Sequence, residues 1–286
     1  MLTGFNHPAR AAIVPNVTPK QEWMNAVALD TISVRAALVL AAPIAGYLIS
    51  LFGTTPLFGA RALGMVLAIQ WLRMARVPPT PISATKQVPW RNLGEGLKYA
   101  VTSAVIMTLV LFFALREFQA EMSTVFMPFF ADDILHSGAL GFGYLNSALG
   151  VSSLVGLFGI ASLGDFKHKG WLIAIAGIFM GLFLSAFALS HWLILSLVLL
   201  LVASSFGTAF ENVSRTVLQT IVPDEMRGRV MSLREAERGL FGPWVAYGLG
   251  VGGEYLGVVT AGLLLGLFVV ACISMLILLF PSFRKL

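Results

Sequence analysis

Three charged residues, Arg116, Glu117 and Glu121, lie in an otherwise apolar segment, and their types and spacing could support chemistry. Glu117 and Glu121 are four residues apart and would share one face of a helix, while Arg116 would lie about 100° round from Glu117. A charge near the centre of a bilayer costs about 2.5–3.5 kcal/mol, so charges on a spanning helix face a partner or an aqueous cavity. We interpret the pattern as proton uptake by Glu117 or Glu121, with Arg116 tuning that carboxylate or meeting an anionic substrate.

Two structural interpretations stay open for the same three residues. The charges could pair with a neighbouring helix and only fix its packing. Alternatively, the helix could sit lower in the membrane, so that the charges lie at the interface with water. The residues alone do not choose among the three interpretations.

The composition is that of an integral membrane protein. Hydrophobic residues make up 57% of the 286 residues and charged residues 12%, whereas a soluble domain has about 25% charged residues. The net charge of +5 comes from basic residues between apolar runs, which favours membrane topology over nucleic-acid binding. The single cysteine, Cys272, excludes an intramolecular disulfide and a multi-cysteine metal site. The predicted class is an all-α polytopic membrane helix bundle in the lipid bilayer.

An enzyme is a poor match to the sequence. The four histidines are scattered over four polar segments, and no H-E-x-x-H, G-x-S-x-G or P-loop pattern occurs. We therefore predict no catalytic residue, no metal site and no cofactor.

Apolar runs of about 20 residues predict eight membrane spans. Six of them cover residues 26–50, 56–74, 99–131, 139–161, 235–252 and 256–280. The other two form a hairpin between residues 170 and 210, which turns at 190–191. Residues 77–91 are Pro-rich and predict a linker. Sixteen of the 19 Lys and Arg residues fall in alternate loops, which predicts that both termini are cytoplasmic.

A basic stretch occurs twice in the chain. Residues 210–233 (FENVSRTVLQTIVPDEMRGRVMSL) have a degraded copy at residues 5–29 (FNHPARAAIVPNVTPKQEWMNAVAL), in which Phe5 matches Phe210 and Arg10 matches Arg215. A copy about 205 residues away in a membrane chain indicates two related halves. Glu211, beside Arg215, is expected to form an interfacial pair with it.

The string VPDEMRGRVMSL at residues 222–233, with FNHPAR at residues 5–10, resembles the major facilitator superfamily, in the branch of bacterial exporters related to enterobactin and macrolide efflux proteins. The resemblance implies a major-facilitator bundle in the bacterial inner membrane, with the basic stretches as cytoplasmic loops before the fifth and eleventh helices. It further implies secondary active export of a siderophore- or drug-like small molecule by alternating access, coupled to protons. The segment with Arg116, Glu117 and Glu121 would be the seventh helix, which lines the central cavity.

A second family element, Gly-x-x-x-Asp followed by basic residues, is partly present. Asp165, Lys167 and Lys169 stand where it should lie, although Ala161 replaces its glycine and Phe166 a basic residue. By resemblance, these residues and Arg227 and Arg229 are candidates for a cytoplasmic gate. For the lysines, the favoured explanation is membrane topology, in which basic residues keep a loop on the cytoplasmic side, whereas for Asp165 the gate is favoured.

The family plan has twelve helices, and this chain fits only eight of them. The resemblance implies a partial first half (residues 1–76), a linker (77–91) and a complete second half (92–286). A shortened gene, a misassigned start or a deliberately cut chain would each produce this arrangement. The alternative function is a remnant that transports nothing, or a membrane partner subunit, and the sequence leaves the oligomeric state open.

Overall fold

The computed structural model describes residues 23–74, 89–164, 166, 168–280 and 283, and in these ranges the chain forms helices and no strand. The helices are α1 (Trp23–Phe52), α2 (Thr55–Met74), α3 (Pro89–Thr102), α4 (Ala104–Val125), α5 (Gly138–Ser162), α6 (Lys169–Ala188), α7 (Leu193–Ile221), α8 (Asp224–Leu256) and α9 (Val258–Leu279). A helical turn at Met127–Phe129 and a π-helical turn at Phe130–Ile134 follow α4. The all-α prediction is confirmed.

Four helices in the described part of the chain, α5, α6, α7 and α9, are long and apolar enough to cross a membrane. Helices also occupy the other four predicted positions, where α4 carries three charges and α8 begins with a charged half. The predicted hairpin is confirmed, because α6 ends at Ala188 and α7 begins at Leu193.

The predicted span 99–131 is too long. Ser103 adopts an extended conformation and accepts a hydrogen bond on its Oγ from the Ile106 amide, which ends α3 and caps α4. The spanning helix is therefore Ala104–Val125, and α3 is a separate amphipathic helix.

The basic stretch 210–233 is helical rather than a loop. It forms the end of α7 and the start of α8, which are joined at Val222 and Pro223. Phe210, Val213 and Val217 are buried at helical spacing, and this packing holds the segment in a helix despite its charges. With 33 residues, α8 is about 50 Å long and exceeds the roughly 30 Å thickness of the hydrocarbon layer.

The helices pack as a bundle with two buried apolar clusters. In the described residues, α4 packs against α7, α8 and α9, while α6 packs against α7 and α9. One cluster surrounds Phe112 and Phe210, and the other surrounds Phe126 and Phe187. The charged residues of α4 lie between these clusters along the helix, so their charges are enclosed by apolar packing on both sides.

Helix α1, from the predicted first half, packs closely on α5 of the second half. A Cβ atom on Gly143 would lie 2.6 Å from the carbonyl oxygen of Ala42, so only glycine permits this approach. Pro43 lacks an amide hydrogen and cannot bond the Val39 carbonyl, to which the Ser147 Oγ donates instead at 2.6 Å. The seam between α1 and α5 thus has close backbone contact and a hydrogen bond that replaces the one lost to proline. The division into halves itself stays a prediction.

Replacing Ser147 with alanine should destabilise this seam. The Val39 carbonyl would lose its donor, at a cost of about 0.6–2 kcal/mol for an interhelical hydrogen bond in a membrane. Thermal unfolding of the purified protein measures the change. Ser162→Ala is the matched control, since its exposed hydroxyl bonds only within α5. Equal melting temperatures for the two variants would contradict the assignment.

Candidate functional site: a charge network and an adjoining polar cavity

Helix α4 presents its polar residues toward α7 and α8. Glu117 and Gln119 are buried, at 7% and 2% exposure. Arg116 Nε lies 3.7 Å from Glu211 Oε2, which connects α4 to α7. Arg116 and Glu117 are therefore enclosed by neighbouring helices, whereas Glu121 is only partly buried.

Glu211 is the centre of the charged site. In addition to Arg116, it forms a salt bridge with Arg234, and its Oε1 lies 3.7 Å from Arg238 Nη2. The Arg234 guanidinium also stacks 4.9 Å from the centre of the Phe113 ring, a favourable cation–π geometry. One carboxylate thus contacts three arginines that come from two other helices.

Arg238 closes the network, because its Nε lies 3.3 Å from Glu117 Oε1. We call the five residues Arg116, Glu117, Glu211, Arg234 and Arg238 the charge network. It joins α4, α7 and α8 through ionic contacts. Any movement of α8 against α4 or α7 has to break or exchange these pairs.

Glu121 lies one turn beyond Glu117 and outside the network. It makes no hydrogen bond or salt bridge with the described residues. A Cβ atom added at Gly242 would lie 3.1 Å from Glu121 Oε1, so the Glu121 side chain lies against Gly242. Glu117 faces Arg238, and Glu121 faces Gly242 one turn further along α8. The prediction that the two glutamates share one face is confirmed by this arrangement.

A polar cavity of about 400 Å³ opens between α4, α5 and α7, beside the charge network. Its lining is rich in side chains that donate or accept hydrogen bonds: Arg116, Gln119, Ser123, Thr124, Asn146, Ser152, Ser153, Ser204 and Thr208. Gln119 Nε2 donates to Ser204 Oγ at 3.2 Å, while Gln119 Oε1 and Arg116 Nε have no hydrogen-bond partner among the described residues. The cavity is thus bordered by a buried amide oxygen without a hydrogen bond in the described part of the chain and by a guanidinium that is paired with Glu211.

Several residues of the site escape the sequence analysis. The expected pair of Glu211 with Arg215 is wrong, since Glu211 instead contacts Arg116, Arg234 and Arg238. Arg234 and Arg238 are two of the sixteen basic residues that the sequence predicts in alternate loops. The available signal was their four-residue spacing, which places both on one face of α8.

The predicted gate residues are partly described. Arg229 pairs with Glu95 of α3 at 2.9 Å. Arg227 Nε donates to the Gln219 carbonyl at 3.1 Å, near the end of α7. Lys169 is the first residue of α6, while Asp165 and Lys167 lie outside the described residues. The gate stays a prediction.

Comparison with known proteins identifies the family of the chain. Residues 2–284 match the family described as transmembrane secretion effector. The chain is similar to the enterobactin exporter EntS of Escherichia coli O1:K1 / APEC, with 25% identity over 230 residues, which is 80% of this chain and 54% of the relative. The same identity and coverage are found for the enterobactin exporter of Shigella boydii serotype 18 (strain CDC 3083-94 / BS512). The chain thus spans about half the length of these curated relatives.

The fold is similar to that of a bacterial homologue of the human lysosomal transporter Spinster, solved in an inward-facing and unoccupied conformation. The TM-score is 0.54 at 16% identity, and the match covers 96% of this chain and 72% of the other. An all-helical bundle, a basic repeat and a family match over nearly every residue lead to one assignment. The chain belongs to the transmembrane secretion effector family of the major facilitator superfamily.

Proposed function

We propose that the chain acts in secondary active export of a siderophore- or drug-like small molecule across the bacterial inner membrane, driven by protons through alternating access. The observation that carries the proposal is the position of Arg116, which belongs to the charge network and also lines the polar cavity. A molecule in the cavity and a proton on the network would therefore act on the same side chain.

Proton uptake would act through Glu117. Arg238 is held to α4 by the Glu117 carboxylate, and protonation removes the charge that attracts it. Helix α8 then loses a contact with α4 and can move. Glu121 is the second candidate for this step, since it faces α8 one turn away.

The substrate would bind in the polar cavity. Arg116 would attract an anionic or carbonyl oxygen of the substrate, and the Gln119 amide and the hydroxyl groups of Ser152, Ser204 and Thr208 can each donate or accept a hydrogen bond. Enterobactin is the first compound to test, because the curated relatives are named as its exporters. Asp165, Lys167, Lys169, Arg227 and Arg229 would form the cytoplasmic gate, with both termini on that side.

A membrane partner subunit that transports nothing by itself is the second candidate. The chain aligns to 54% of the length of its enterobactin-exporting relatives, and alternating access requires two opposed bundles. A transport measurement on this chain alone separates the two functions.

The test uses inverted membrane vesicles that contain the 286-residue chain, an imposed pH gradient and enterobactin as the probe. We expect uptake that a protonophore abolishes and that falls about tenfold or more in Glu117→Gln, as loss of a charged hydrogen bond implies. Glu225→Gln, an exposed position on α8, should transport like the wild type. Unchanged proton-driven uptake in both Glu117→Gln and Glu121→Gln would remove these carboxylates from the mechanism. Absence of uptake in the wild type would favour the partner-subunit function.

A further inference from the structure

Glu237 of α8 is a buried carboxyl group that the charge network does not include. Its exposure is 6%, and its Oε2 atom has no hydrogen-bond partner in the part of the chain that the structure describes. An ionised carboxylate with an unsatisfied oxygen is costly in an apolar interior, whereas a neutral acid carries no charge to solvate. The surroundings of Glu237 therefore suit a carboxyl group that holds a proton.

The flanking arginines of α8 are already engaged by other carboxylates. Arg234, three residues before Glu237, pairs with Glu211, and Arg238, the next residue, pairs with Glu117. The helices packed on α8 are α3, α4 and α9. On these helices and on α7, the described side chains that are charged or titratable are Glu95, Lys98 and Tyr99 on α3, Arg116, Glu117 and Glu121 on α4, Glu211 and Arg215 on α7, and Cys272 on α9.

Arg238 is the arginine that can change partner. Its side chain is 53% exposed, compared with 9% for Arg234, and its Nε lies 3.3 Å from Glu117, at the long end of the hydrogen-bond range. Glu237 is its neighbour on the same helix, so a rigid rotation of α8 would move both residues together. A change in the Arg238 side-chain rotamer, for which its exposure leaves room, is what would carry the guanidinium from Glu117 toward Glu237. Such an exchange would leave Glu117 without its counter-ion.

We propose that Glu237 and Glu117 form a proton relay that Arg238 controls. In the arrangement described here, Glu237 holds the proton and Glu117 is the ionised partner of Arg238. When Arg238 turns to Glu237, the O–H bond of Glu237 breaks, and the proton passes through water to the Glu117 carboxylate, where a new O–H bond forms. The number of charges stays constant, so the switch does not create an unpaired charge.

This relay rests on the proposed proton-coupled transport, but it can be tested without a substrate. Infrared spectra of the purified full chain in lipid nanodiscs would detect the carbonyl stretch of a protonated carboxyl group at neutral pH. We expect this band in the wild type, its loss in Glu237→Gln, and its retention in Glu254→Gln, an exposed position on the same helix. A band that persists in Glu237→Gln, or no band in the wild type, would overturn the assignment.

Thermal unfolding guards against a variant that fails to fold. Glutamine has the shape of a neutral glutamic acid, so the melting temperature of Glu237→Gln should equal that of the wild type at neutral pH. A clear decrease would mean that Glu237 is an ionised partner and would contradict the relay. Failure of enterobactin uptake by the wild type would count against the proposed function, whereas the infrared result decides the proton site.

Discussion

Replacing Glu211 with glutamine is expected to reduce the free energy of unfolding by about 3 kcal/mol, the lower end of the range for a broken buried ion pair, because the side chain is 23% exposed. The substitution leaves Arg116, Arg234 and Arg238 without their shared counter-charge. Denaturant unfolding of the purified protein measures the loss. The proposed transport should be lost as well, since α4, α7 and α8 would no longer be joined by Glu211.

The control for this variant is Glu225→Gln, which removes an exposed carboxylate near the start of α8 and should change stability little. The double variant Glu211→Gln, Arg234→Gln should recover part of the lost stability, because it also removes one uncompensated buried cation. A single variant as stable as the wild type would show that Glu211 does not hold the network together.

Replacing Gly143 with alanine is expected to cost about 1–3 kcal/mol, the usual penalty for overpacking. The new Cβ atom would lie 2.6 Å from the Ala42 carbonyl and 3.0 Å from Pro43 Cα, and backbone atoms cannot move aside as a flexible side chain could. Helix α1 should then separate from α5. Thermal unfolding of the purified protein measures the decrease.

Gly159→Ala on the same helix is the matched control. No heavy atom lies within 4 Å of a Cβ atom at Gly159, and alanine favours a helix over glycine by about 1 kcal/mol. This variant should be as stable as the wild type or more stable. If Gly143→Ala shows the same behaviour, the close approach of α1 to α5 is wrong.

Hydropathy predicts the helices of this chain well and their partners poorly. Two features follow from the free energy of placing a polar or charged side chain in lipid: the hairpin at residues 190–191 and the partners of the α4 charges. Each such side chain must either lie outside the hydrocarbon layer or have a partner within it. The pair of Glu117 with Arg238 joins residues 121 positions apart, and no local pattern identifies it. The sequence therefore predicted that Glu117 needs a partner, but not which one.

The basic stretch at 210–233 shows a second limit of hydropathy. Its charges predict exposure to water, yet Phe210 and Val217 bury one side of α7. A helix can keep charges on one face while the opposite face packs, so charge content alone does not identify a loop. Glu211 lies in this stretch, and the packing of α7 places it beside the arginines of the charge network.

Alternating access requires the polar cavity to open to each side of the membrane in turn, and the accessibility of one cavity residue tests this without knowledge of the substrate. The probe is Asn146→Cys in a Cys272→Ser background, because Asn146 lines the polar cavity and Cys272 is the only native cysteine. A membrane-impermeant thiol reagent is applied to vesicles from either side, with Glu225→Cys as a control that the predicted topology places on the cytoplasmic side, so that it should react from that side alone. Alternating access predicts that the thiol introduced by Asn146→Cys reacts from both sides, whereas labelling from one side only would contradict it.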